Sequence, residues 1–196
     1  MNFEKWQHFL RARMFQLLGK DDLALEEYRL TLQAAPDFVR AASAIAFIHA
    51  KRGDFSAAAD AFRTALRIAP DDAVMLFNLG FACDKQNALG EAVDAFRKAT
   101  QLDPKLDRAW YGLGICHARL GDHAAAAQAL REAAERQPMN PHAWYALGMA
   151  HHRLHEPERV KEIVMHLHRF DPVMTRHLIQ DAERADLAYL VADLVV

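Results

Sequence analysis

Five prolines, Pro36, Pro70, Pro104, Pro138 and Pro172, stand 34 residues apart. A period of this length, held five times, constrains the chain more than any other feature. It means one small supersecondary unit used repeatedly, each copy unable to bury its apolar face alone and burying it against its neighbours. Only Pro141 and Pro157 fall outside the series. Ala24, Ala58, Ala92 and Ala126 lie twelve residues before the first four of these prolines, and Tyr28, Phe62, Phe96 and Leu130 follow four residues after the alanines. A spacing of four puts each alanine and its large partner on one helical face. Gly80, Gly114 and Gly148 also recur, as do Trp110 and Trp144, with Leu76 in their place one period earlier. Trp110, Leu113, Gly114 and His117 fall at i, i+3, i+4 and i+7, a second helical face. Each period therefore predicts two helices, A and B. Gly19, Gly53 and Gly121 mark the turn between them, and Asp22, Asp54 and Asp122 are placed to cap helix B. The recurring prolines fall in the loops that end helix B, where a missing N–H does no harm.

The segments Trp110-x2-Leu113-Gly114 and Ala92-x3-Phe96, with the terminal prolines, resemble the W-x2-L-G-x2-Y…A-x3-F…P pattern of tetratricopeptide repeats. The resemblance covers residues 5 to 172. It implies an all-α fold, a right-handed superhelical solenoid of five helix-turn-helix repeats over 5–38, 39–72, 73–106, 107–140 and 141–174. A C-terminal capping helix over 175–196 follows, and 1–196 forms a single domain. The ends depart from the pattern. His8 and Arg11 occupy the slots of Trp110 and Leu113, while Trp6, Phe9 and Leu10 read as out of phase with them. Phe15, Gly19 and Ala24 are back in phase. Repeat one thus reads as a polar-faced N-terminal cap with a rotated or shifted first helix. Repeat five carries Val160 and Val164 in the alanine and phenylalanine slots and His155 where glycine is usual. The apolar tail Leu187, Tyr189, Leu190, Val191, Leu194, Val195 and Val196 predicts either a fold-back onto repeat five or self-association through the C-terminal segment.

A formal net charge of -2 argues against a basic footprint for nucleic acid or anionic membrane. The N-terminal sequence has no apolar core of a signal peptide, and no run approaches the ~18 apolar residues of a membrane span, so a cytoplasmic location is expected. Cys83 and Cys116 sit in no CxxC pair and read as buried thiols. Phosphate-binding, nucleophile-elbow and zincin motifs are missing, so no catalytic residue, no cofactor and no enzymatic activity is expected. His151 and His155 have two-ligand spacing, but no third ligand follows at a fixed distance. His49, His117 and His151 share one repeat offset on the core face and read as packing residues; no metal is expected.

Helix A carries a second patterned face at i, i+3, i+7 and i+11. One lane runs Phe47, Phe81, Ile115, Met149, and its neighbour Ser43, Phe77, Tyr111, Tyr145. A basic lane follows as Lys51, Lys85, Arg119, Arg153, beside Arg40, Val74, Arg108, His142. The family resemblance implies that this face lines a concave groove and that Asn78 stands where peptide-binding members carry an asparagine that bonds ligand backbone; Gly112 and Ala146 occupy that offset in the next repeats. The carboxylate clamp of chaperone-tail binders is not matched, because Ser43, Phe47 and Gly112 fall where clamp residues would be. An apolar floor beside a cationic rim suits a protein or peptide partner with acidic and apolar residues. The function expected is a scaffold or adaptor holding a partner's segment. The alternatives are a dedicated secretion or assembly chaperone, and a regulatory module acting on an enzyme or on nucleic acid.

Overall fold

A computed structural model describes residues 3–192. Among them there is no strand. The 34-residue period becomes helix pairs, α1 (Phe3–Leu17) with α2 (Asp21–Ala34), α3 (Val39–Lys51) with α4 (Phe55–Ile68), and α5 (Ala73–Lys85) with α6 (Leu89–Leu102). The pairs continue with α7 (Asp107–Arg119) and α8 (His123–Arg136), then α9 (Pro141–Arg153) and α10 (Pro157–Leu167). Helix α11 (Pro172–Asp181) and a 3-10 segment (Ala185–Val191) close the described chain. Two compact units result, one ending at Leu102 and one beginning at Asp103. In the first, each A helix packs on its own B helix, and α2 on α3 and α4 on α5 join the pairs; in the second, α9 packs on α8, α10 and α11.

The periodic residues are the core. In the first unit Ala24, Ala58 and Ala92 are buried together with Tyr28, Phe62 and Phe96; in the second Ala126 and Leu130 are. The small residue lets helices A and B approach, and the large one fills the space between them. The recurring glycine is the matching feature on helix A. A Cβ at Gly80 would lie 2.8 Å from the Phe96 ring, and one at Gly114 would lie 2.5 Å from Leu130. In the last pair Val164 takes the Leu130 offset, and the space over Gly148 is filled instead by Leu178 of α11, 2.7 Å from where a Cβ would be.

The A-to-B turn repeats as strictly as the core. Residues 19, 53, 87, 121 and 155 all have positive φ, whether glycine, Asn87 (62°) or His155 (58°). Asparagine and histidine are among the side chains that best tolerate this left-handed region. Asp54 and Asp122 cap their B helices by accepting from the N–H of Ala57 and Ala125 at 3.1 and 3.0 Å. Asp22 does not cap. Helix α2 starts in register with the others and Lys20 holds the capping offset, so Asp22 lies in the first turn and pairs with Arg52 at 2.8 Å. Pro172 likewise differs from the other periodic prolines, opening α11 where its missing N–H is harmless.

Helix α1 is not rotated. Ala12 occupies the offset of Gly80 and Gly114 and is buried, while Phe9 and Phe15 pack around Tyr28. The polar slots face one carboxylate, since Glu27 receives His8 at 2.6 Å and Arg11 at 3.5 Å. At the other end, α11 buries Thr175, Leu178 and Ile179. The 3-10 segment then folds back, burying Leu187 against the same cluster with Leu190 and Val191 half-buried, while Tyr189 stays exposed. Arg184 anchors the bend through Asp186, at 2.8 and 2.7 Å, and through the Pro157 carbonyl. Leu194, Val195 and Val196 lie outside the described residues.

Candidate peptide-binding face

The second face of the A helices is set by the same register that buries the first. In α3 and α5, Phe47, Val74 and Phe81 remain exposed beside the face that packs on the B helices. Phe47 is 43 % and Phe81 40 % exposed, although each ring is steadied from below. Phe47 meets Phe62 edge-on with ring centres 5.3 Å apart, and Phe81 meets Phe55 at 5.9 Å. Phe77 is half-buried, tilted on Phe96 at 5.8 Å. These are rigid aromatic surfaces with one face or edge open to solvent, and they cost little entropy to bury further.

The cations differ in what holds them. Lys51, Lys85, Arg119 and Arg153 are each the last residue of an A helix, where the helix dipole favours positive charge. Lys85 extends over the Phe81 ring with Nζ 5.3 Å from its centre. Lys51 instead reaches across to Asp21 at 3.0 Å, so part of its charge is neutralised by α2. Asn78 donates its amide to the Val74 carbonyl at 2.8 Å, so that donor is engaged with its own helix.

Sequence reading missed two residues of this face. A cleft of 400 Å³ between α1 and α3 is lined by Phe9, Arg13, Arg40, Ser43, Ala44 and Phe47. Phe9 stands 34 residues before Ser43, and Arg13 the same distance before Phe47. The lanes therefore extend into the first repeat, a signal present in the period but hidden by treating α1 as shifted.

In the second unit, Tyr111, Ile115, Tyr145 and Met149 are half-buried and Arg108, Arg119 and Arg153 exposed. A cleft of 320 Å³ brings Ile115, Arg119, His123, Tyr145, Met149 and Arg153 together. The Tyr145 hydroxyl donates to Asp181 Oδ2 at 2.6 Å, and this bond, with partial burial, pushes its pKa up to about 12. Burial alone raises that of Tyr111. Both phenols are neutral donors at physiological pH.

The histidines of the core offset have a structural task. His49 and His117 face Asp54 and Asp122 at 3.6 Å, and His151 faces Glu156 at 2.6 Å, so each braces the turn into helix B. Among the described residues, no three His, Cys, Asp or Glu side chains gather as a metal site would need. Cys83 and Cys116 are free and buried, and desolvation raises the Cys83 pKa. Trp110 and Trp144 are only half-buried. Their indole N–H groups donate to the carbonyls of Pro104 and Pro138 at 3.0 and 2.8 Å, so the polar edge must reach the loop surface.

Two family models described as tetratricopeptide repeat match residues 43–107 and 85–150, which together span more than half of the chain. No curated protein matches the sequence. Among solved structures, YrrB, described as a TPR protein with an unusual peptide-binding site, is similar with a TM-score of 0.79 at 19% identity, covering 90% of each chain. A MamA structure also gives 0.79 at 19% identity, covering 96% of this chain and 98% of that one. PilF of Pseudomonas aeruginosa gives 0.70 at 18% identity, covering 95% and 87%. At these identities the likeness is one of fold.

Proposed function

The chain belongs to the tetratricopeptide-repeat family, and on that footing we propose that it is a non-enzymatic adaptor whose A-helix face holds a segment of a partner protein. One observation carries the reading: in the first unit, exposed phenylalanines on successive A helices are braced from beneath and flanked by Arg13, Arg40 and Lys85. A helix needs one apolar face to pack, and these helices carry two. The second face has the composition of an interface centre, aromatic with arginine at the edge. The second unit repeats the chemistry on a smaller scale, with Ile115, Tyr145 and Met149 beside Arg119 and Arg153. The ligand that suits both is a peptide in which carboxylates alternate with aromatic or aliphatic side chains. Its apolar groups would supply most of the affinity, and its carboxylates the rate and selectivity.

Selection from a phage-displayed random peptide library tests this. The expected winners pair Asp or Glu with apolar residues. Their affinity, read by fluorescence anisotropy, should fall about 30-fold in Phe81→Ala or Phe47→Ala, the equivalent of an anchor worth about 2 kcal/mol. Selected peptides that are basic, or that bind both variants as tightly as the parent, would overturn the proposal.

A further inference from the structure

Helix α1 has an apolar face that its own fold leaves uncovered. Phe3, Trp6, Leu10, Met14 and Leu17 fall at i, i+3, i+7, i+11 and i+14. At 100° per residue they share an arc of roughly 80° directed away from the buried Ala12, with Leu18 at its margin. Leu10, at the centre of the stripe, is 63 % exposed and Leu17 82 %. Trp6 is steadied edge-on by Phe9 and Phe38 at 5.9 and 5.2 Å. The stripe borders the peptide face, since Trp6 and Leu17 stand 34 residues before Arg40 and Lys51 and Trp6 touches Phe9, but its centre at Leu10 and Met14 lies off the lanes, and none of it belongs to the C-terminal segment.

The spacing itself identifies an occupant. The intervals along the stripe are three, four, four and three residues, a palindrome about Leu10. A two-fold axis through Leu10 would set Phe3 opposite the partner's Leu17, Trp6 opposite the partner's Met14, and Leu10 opposite itself. The same rotation puts Trp6 and the facing methionine on opposite sides of the seam, so that they lie side by side and do not meet end on. A self-complementary patch of this kind is what an isologous interface requires. Weighted by their exposure, the six side chains present on the order of 600 Å² per copy, taking large apolar side chains at roughly 150–250 Å² each. Two copies would then bury about 1,200 Å², the lower edge of the range for specific stable interfaces. We propose that the chain forms a homodimer through an antiparallel α1–α1 contact centred on Leu10.

Sedimentation equilibrium of the full chain is the first test. The expected result is a micromolar dimer, with a mass twice 22.2 kDa falling to 22.2 kDa on dilution. Leu10→Glu, which places two carboxylates together on the two-fold axis, should be monomeric with an unchanged circular dichroism spectrum. If that variant does not fold, Leu17→Glu takes its place. Oxidative cross-linking then fixes the register. Leu10→Cys should trap a covalent dimer. Leu17→Cys should not, because its two copies would stand about 21 Å apart along the axis. A parent chain that stays monomeric, a folded glutamate variant that still dimerises, or cysteines that cross-link at both positions would each overturn the antiparallel α1 dimer. So would a monomer that co-sediments with anionic phospholipid vesicles through this stripe, which would make the face a membrane anchor.

Discussion

Replacing Gly114 by alanine probes the feature on which the repeat packing turns. The new Cβ would sit 2.5 Å from Leu130 Cγ and 3.1 Å from the Leu130 backbone nitrogen. The first contact is a branch point held in a buried side chain, and the second is backbone, so neither can swing aside. Overpacking of this kind costs about 1–3 kcal/mol, while alanine's better helix propensity returns about 1 kcal/mol. A net loss of up to about 2 kcal/mol should follow, read as a lower urea midpoint in circular dichroism. Gly90 is the control. It also lies in a helix, α6, but a Cβ there meets nothing within 4 Å. Gly90→Ala should therefore gain up to about 1 kcal/mol. If Gly114→Ala is stabilised like Gly90→Ala, the close approach of helices A and B is not what selects glycine at this offset.

Further outcomes follow from the same structure. Reversing charge with Lys85→Glu and Arg153→Glu should weaken binding of a selected acidic peptide at low salt and progressively less as salt rises, with the helical content unchanged. Leu187→Ala should cost about 2–3 kcal/mol, because the buried side chain ties the 3-10 segment to the second unit; a melting curve indistinguishable from the parent's would refute that fold-back. Tyr145 binds its proton more tightly folded than unfolded, so its contribution is complete below pH 10 and is lost as pH rises from 10.0 towards about 12. Asp181→Asn should flatten that part of the stability profile, and ultraviolet titration of the phenols should show one fewer late-ionising tyrosine.

Much of the fold is legible in the sequence because each copy of the repeat solves the same packing problem. Alanine against an aromatic, glycine against its partner, and a left-handed residue at the turn recur at fixed offsets, and even Asn87 and His155 obey the last of these. What escapes the period is whatever depends on a second element at a particular place. Lys51 reads as one of four equivalent cations, yet it is drawn to Asp21 on the preceding helix while Lys85 lies over the Phe81 ring. Asn78 reads as a ligand donor, but bonding its own helix satisfies the amide with no partner present. The tryptophans read as core because their rings are large; the indole N–H needs an acceptor, and the nearest is a loop carbonyl. Phe9 and Arg13 obey the period yet are obscured by the polar slots of the first repeat, which pair with Glu27 and leave the helix in register.

Photo-crosslinking locates a partner segment on the A helices without relying on loss of binding. Benzoylphenylalanine would be placed singly at Phe81 and Met149, on the A-helix face, and at the exposed Arg97 and Gln128 of the B helices α6 and α8. With a selected peptide bound, adducts are expected from Phe81, Met149 or both and none from Arg97 or Gln128. Adducts confined to the B-helix positions would contradict that placement.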